Sequence, residues 1–303
     1  MSEVTLGGDP EFALFDSSKN LAVSTRTIFP TLPWEGDVGR DGRGDIGEFR
    51  FPPTKNPRDV TLLIKERLIT VHKMLVQTFP SGIEIRGGAF VPGFKIPGED
   101  WSMPLGGHIH LGHSHFTRQY GLKDCSFRNP IIVQRLLLGL DKYVGTILAA
   151  AGNPASLRHR VNGSYGRPAL MLGVPSLASS DGWRPQPHGI EYRTPYSWIH
   201  SPLLTNAAFA LSFLVAENSL RFSDSTDSFL ARGPTFRSPS EHPLYSCHLN
   251  KLRFWAKRYL EEIKGFEGYR EVEDLIDPIR ELILSKRIVR ANVDARKIWG
   301  IMS

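Results

Sequence analysis

The sequence predicts an α+β protein in which short strands and helices are interspersed and the C-terminal part is helical. Three observations predict it. Apolar residues recur at helical spacing in several long runs. Brief segments between those runs alternate apolar and ionisable side chains with a period of two. Gly and Pro crowd the ends of nearly all of these segments.

The first helix opens at Asn56-Pro57, an N-cap residue followed by one suited to the first helical position. Val60, Leu63, Ile64, Leu68, Val71 and Leu75 then recur on one face, and Pro80, Ser81 and Gly82 close the run. Asn129-Pro130 repeats the opening, and its run reaches Ala151 and ends at Gly152. A third helix covers residues 202–221. Two more, 241–264 and 272–286, mix Leu, Ile and Trp with many Lys, Arg and Glu. Strands are predicted at 12–15, 46–51, 82–86, 108–111 and 190–193. The Gly/Pro-rich stretches 31–45 and 152–189 read as long loops, which in a compact domain are usually functional or flexible. A domain boundary is compatible with 223–240, which divides the chain into 1–225 and a helical extension at 226–303 packed on it.

Bulk composition excludes some classes. The chain has 303 residues, 41% hydrophobic and 22% charged, which is ordinary for a globular protein with a sizeable core. Its net charge of +6 is thinly spread and reads as a solvated surface, so no specific nucleic-acid partner is expected. The aromatic pair Phe254-Trp255 reads as packing of an amphipathic helix. Two distant cysteines, Cys125 and Cys247, suit a reducing, cytoplasmic setting. No signal peptide is read at the N-terminus, and the apolar run 136–151 is broken by Asp141 and Lys142, so no membrane partner is expected.

Side chains at i and i+2 of a strand share a face. Glu11 therefore lies opposite Phe12 and Leu14. Glu48 and Arg50 share a face away from Phe49 and Phe51. His108 and His110 face away from Ile109 and Leu111, and Glu191 and Arg193 away from Ile190 and Tyr192. Alone, a Glu-x-Arg strand motif is usually a surface ion pair worth under about 1 kcal/mol. Ile83-Glu84-Ile85-Arg86 is read that way. Three carboxylates and two imidazoles on such faces, each near Gly or Pro, are hard to explain as surface decoration. Carboxylates favour hard cations such as Mg²⁺ or Mn²⁺, and interleaved arginines suit phosphate oxygens. There is no phosphate-binding Gly-x-x-x-x-Gly-Lys-Ser/Thr loop and no Gly-x-Ser-x-Gly nucleophile elbow.

The motifs Gly8-Asp9-Pro10-Glu11-Phe12, Asp41-Gly42 followed by Glu48-Phe49-Arg50, Gly106-Gly107-His108-Ile109-His110 and Gly189-Ile190-Glu191-Tyr192-Arg193 stand in one order. In that order the chain resembles phage-type carboxylate–amine ligases, amidoligases of the glutamine synthetase and glutamate–cysteine ligase fold. The resemblance spans roughly residues 5–200. It implies a curved antiparallel sheet backed by helices, with ATP and Mg²⁺ (or Mn²⁺) on the concave face. It implies Glu11, Glu48 and Glu191 as metal ligands, joined by at least one of His108 and His110, and His110 also among the catalytic groups. Arg193, Arg50 and Arg184 are implied as phosphate contacts, with Arg167 as a further candidate. The reaction implied is ATP-dependent amide formation through an acyl phosphate. Its partners would be small-molecule, peptide or protein carboxylates and amines, with a homo-oligomer possible. Two other readings compete. A metal-dependent hydrolase would use His108 and His110, with His159, His188 and His200 available. A ligase-fold descendant could serve a structural or virion role without catalysis.

Overall fold

The computed structural model describes residues 4–29, 36–41, 45–79, 82–95, 102–113, 130–162, 166–169, 182–221, 241–290 and 293–302. Among these the strands are β1 (Val4–Asp16), β2 (Leu21–Val23), β3 (Val38–Arg40), β4 (Gly47–Phe49), β5 (Ile83–Arg86), β6 (Phe90–Lys95), β7 (Ser102–Pro104), β8 (Gly107–His113), β9 (Trp183–Gln186) and β10 (Gly189–Tyr192). The α-helices are α1 (Pro57–Thr78), α2 (Pro130–Gly139), α3 (Thr146–Ala151), α4 (Pro154–Asn162), α5 (Pro202–Arg221), α6 (Pro243–Ser246), α7 (Leu249–Glu262), α8 (Tyr269–Leu284) and α9 (Ala295–Ile298).

The main sheet is antiparallel and runs β3-β4-β1-β8-β10-β9, with β2 and β5 also pairing β1. The central strand, β1, is far longer than the predicted 12–15. Gly7, Gly8 and Pro10 gave its first half the look of a turn. Pro10 is tolerated there because the Glu11 N–H points at the Gly106 carbonyl. Pro10 therefore turns its missing donor to the other side, beyond the last β1–β4 pair at Glu11 and Glu48.

Helices pack under the sheet. Asn56 caps α1 through its side chain on the Arg58 N–H, and Val60, Ile64, Leu68, Val71 and Leu75 are buried along one stripe. Each such side chain contributes about 1.5–3 kcal/mol by leaving water. Below β1 lies α5, where Phe209 meets Trp198 and Phe51 edge-on. Among the described residues α5 is the one helix long and apolar enough to cross a bilayer, and 83% of its apolar window is buried inside the protein. Phe12 stacks on Phe49 at 4.7 Å, so the apolar side of β1 and β4 is sealed. A side chain at Gly47 would overlap the Phe12 ring.

Several predicted boundaries change. The run to Ala151 holds a π-turn, Leu140–Gly145, between α2 and α3. Its two charges are both buried. Asp141 accepts from the Ala169 N–H and the Tyr192 hydroxyl, each at 2.9 Å, and Lys142 pairs with Glu262 at 2.7 Å. The predicted helix 241–264 is two helices, because Cys247 turns left-handed (φ 46°) between α6 and α7. The stretch 152–189 is not a plain loop. It carries α4, opened by the Asn153 side chain on the Ala155 N–H, and β9. Likewise β3 lies within 31–45. The predicted boundary at 223–240 falls outside the described residues. On either side of it, one hydrophobic cluster runs continuously from Val4 to Trp299.

Candidate metal and phosphate site

Register turns the separate motifs into one lattice. Glu11 lies opposite Glu48, and Asp9 opposite His108. His110 lies opposite Gly7 on one side and Glu191 on the other, and Glu191 lies opposite Arg184. Antiparallel partners share a face, so Asp9, Glu11, Glu48, His108, His110, Glu191 and Arg184 all project from one side of the sheet. The core residues Leu6, Phe12, Ile109, Leu111, Ile190 and Tyr192 occupy the other. Arg50 and Arg193 follow their strands directly. The Arg50 Nε lies 2.6 Å from Glu48, and the Arg193 Nε 3.1 Å from Glu191.

The centre of the site is His108. Its ring is buried, and neither nitrogen has a hydrogen-bond partner among the described residues. Nδ1 stands 3.4 Å from Asp9 and 3.6 Å from Glu191, which are long polar contacts rather than hydrogen bonds. Asp9, His108 and Glu191 each offer a ligand atom, all within 4.8 Å of one another. His110 differs: its Nε2 meets Asp9 at 3.0 Å and its Nδ1 meets His188 at 3.1 Å, with the two imidazoles stacked. Glu191 is held further by the Gln186 amide, which donates to it at 2.7 Å. Beneath, the buried Arg160 guanidinium donates to the carbonyls of Leu105, Thr194 and Arg193, tying the start of β8 to the end of β10.

These groups shift one another's proton affinity. Burial pushes Glu11 up, against the pull of His108 and with the nearby Asp41 charge adding to it. Burial, then the Asp9 charge, pushes Glu48 up to about 8 against Arg50. Burial would lower His108, but the Asp9 carboxylate outweighs it and raises the imidazole to about 9. His110 rises for the same reason. Burial would raise Asp9, yet the two imidazoles hold it well below the usual carboxylate range. A cluster in which carboxylates and imidazoles must share protons is one that a cation would relieve.

The structure brings Glu11, Glu48, His108, His110, Glu191, Arg50, Arg184 and Arg193 to this face. Among the described residues no hydrogen bond or ion pair joins the Arg167 side chain to them, and its Nε donates to the Val161 carbonyl at 3.4 Å. His188 stands beside His110, His200 is buried on the Ser197 carbonyl, and the His159 side chain lies outside the described residues. Sequence reasoning missed Asp9, Gln186 and Arg160. Asp9 stands two residues before Glu11, so the same alternation that selected Glu11 could have found it.

A helix-backed antiparallel sheet that gathers carboxylates, imidazoles and arginines on one face carries the residue types that metal-assisted phosphoryl transfer uses. The chain belongs to the family described as Phage phiEco32-like COOH.NH2 ligase-type 2, which matches residues 6–301. The match therefore includes the C-terminal third, where the sequence motifs gave no resemblance. No curated protein matches the chain. Among solved structures, a bifunctional glutathione synthetase from Pasteurella multocida is similar, with a TM-score of 0.53 and 14% identity. The similarity covers 98% of this chain and 48% of that one, so the chain spans about half the length of this neighbour. At that identity it shows the fold alone.

Proposed function

We propose that the protein is an ATP-dependent carboxylate–amine ligase that forms an amide through an acyl phosphate, on a sheet of the glutamine synthetase and glutamate–cysteine ligase kind. The observation that carries this reading is the buried His108 imidazole, which among the described residues has no hydrogen-bond partner on either nitrogen and meets Asp9 and Glu191 only at 3.4 and 3.6 Å through Nδ1. A buried polar group without a partner costs roughly 1–3 kcal/mol, and a metal ion is a partner that would remove that cost.

The donor set fits divalent cations. Asp9, His108 and Glu191 would hold one, and Glu11 with Glu48 a second. The carboxylates that dominate this set suit Mg²⁺ or Mn²⁺, which when bound would neutralise triphosphate charge. The rest falls to the chain itself. Arg50, Arg184 and Arg193 would grip phosphate oxygens and steady charge on the group in transfer. A substrate carboxylate oxygen attacks the γ-phosphorus, the bond to the β-phosphate oxygen breaks, and ADP leaves. The amine nitrogen then attacks the acyl carbon, phosphate departs, and the amine proton passes to solvent or phosphate. No enzyme nucleophile is required.

The test is to incubate the full chain with ATP, Mg²⁺ and pools of amino acids, polyamines and peptides, and to measure ADP. ADP release that depends on an amine supports the ligase. Metal binding with no ADP from any pool, or metal-dependent hydrolysis without ATP, overturns it.

A further inference from the structure

We infer that Gly106 is a positioning residue shared by the two cation subsites, and that its lack of a side chain seats the His108 imidazole between Asp9 and Glu191. This rests on the metal-binding reading above. A Cβ at Gly106 would stand 2.3 Å from His108 Nε2, 2.8 Å from Cδ2 and 3.0 Å from Cε1. All three are ring atoms of a buried side chain with only two rotatable bonds, so the imidazole would have to move as a plate. On its far side the ring faces Asp9 at 3.4 Å and Glu191 at 3.6 Å through Nδ1.

The backbone at Gly106 cannot retreat instead. Its carbonyl accepts from the Glu11 N–H at 2.8 Å, and its own N–H donates to the Glu11 carboxylate. The neighbouring residues are pinned too. Leu105 donates to the Ala89 carbonyl and accepts from Arg160, while Gly107 donates to the Pro195 carbonyl and accepts from the Trp198 indole. Gly106 is not among the glycines with positive φ, so alanine is compatible with its backbone conformation. The cost of a methyl there falls on His108 and not on the chain path. Through one residue, then, the N–H orients Glu11 in one subsite and the missing Cβ makes room for His108 in the other.

The two functions separate in a Gly106→Ala chain, which keeps the N–H on Glu11 but displaces the imidazole. Mn²⁺ binding to the full-length protein, followed by electron paramagnetic resonance, reads the outcome. Gly106→Ala should weaken one class of Mn²⁺ site on the order of tenfold or more and leave the other in place. His108→Ala should do the same, and the double variant should bind no more weakly than His108→Ala alone, because both act through one ring. Additive losses would overturn the inference, since Gly106 would then act independently of His108. Wild-type binding by Gly106→Ala, with His108→Ala impaired, would overturn it while leaving the metal-site reading intact. Wild-type binding by His108→Ala, or no Mn²⁺ binding by the unmodified chain, would overturn that reading and the inference with it. If Gly106→Ala folds poorly, metal-free thermal unfolding decides. The double variant should be more stable than Gly106→Ala, because removing the ring makes room for the methyl. A double variant no more stable would overturn the inference.

Discussion

Asp294 and Arg296 are buried where α9 meets β5, and His108 is buried where β8 meets β1, yet the two regions treat buried charge in opposite ways. Asp294 accepts from the N–H groups of Ile85 and Arg296. Arg296 donates to both Asp294 oxygens and the Ile83 carbonyl, and lies 3.2 Å from His72. Every group there is matched, and the pair ties the C-terminus to the backbone of β5. In the site, both His108 nitrogens lack hydrogen-bond partners among the described residues, and Glu11 and Glu48 are pushed toward protonation. Saturated burial holds a fold together. Unsaturated burial leaves atoms that a ligand would satisfy, and its cost is borne by the rest of the molecule.

The comparison is broken most severely at Glu191. Glu191→Gln should lower amine-dependent ADP formation on the order of a hundredfold or more, with metal-free thermal stability little changed. Normal turnover in that variant would remove Glu191 from the ligand set. Next is Asp294→Ala, which leaves Arg296 buried without its counter-charge. It should destabilise the chain by about 3–5 kcal/mol in denaturant unfolding while the folded fraction keeps its Mn²⁺ affinity.

Acid and alkali should act on different regions. Burial holds His200 down to about 4. Below its ordinary value of about 6.5 the unfolded chain takes up a proton that the folded chain refuses. Stability should therefore fall as pH drops from 6.5 to 4, by roughly 3 kcal/mol for this group. His200→Gln should remove this group's share of that limb and leave the share of His242, which burial also holds down to about 4. In the metal-free site the sign reverses. Glu48, at about 8, and His108, at about 9, keep protons that the unfolded chain has released. Stability should fall as pH rises from about 4.5 through 9, and saturating Mg²⁺ should suppress that fall. A loss of stability in alkali that Mg²⁺ leaves unchanged would place its origin outside the site.

The smallest effect belongs to Glu84. It pairs with Arg86 at 2.7 Å on β5, in a Glu-x-Arg motif that looks like those of the site. Arg86 also lies over the Phe15 ring, and among the described residues Glu84 is not part of the group formed by Asp9, His108 and Glu191. Glu84→Gln should cost under about 1 kcal/mol and leave Mn²⁺ binding untouched.

The sequence by itself determined which side chains could share a face. Period-two alternation put Glu48 with Arg50, His108 with His110, and Glu191 with Arg193, and helical spacing delimited α1 and α5, because both patterns are local consequences of backbone geometry. Tertiary structure decided what local pattern cannot carry. Register set Glu11 against Glu48 and Asp9 against His108. A chain crossing brought Arg160 to the Leu105 carbonyl from 55 residues away, and the pairing of β9 with β10 set Gln186 against Glu191. Packing separated His108, with its open nitrogens, from His110, whose nitrogens are taken. The carboxylates and imidazoles were legible as a list. Their division into candidate ligands and supports depends on distances of a few ångströms between residues as far apart in sequence as Asp9 and Glu191, which only the folded chain sets.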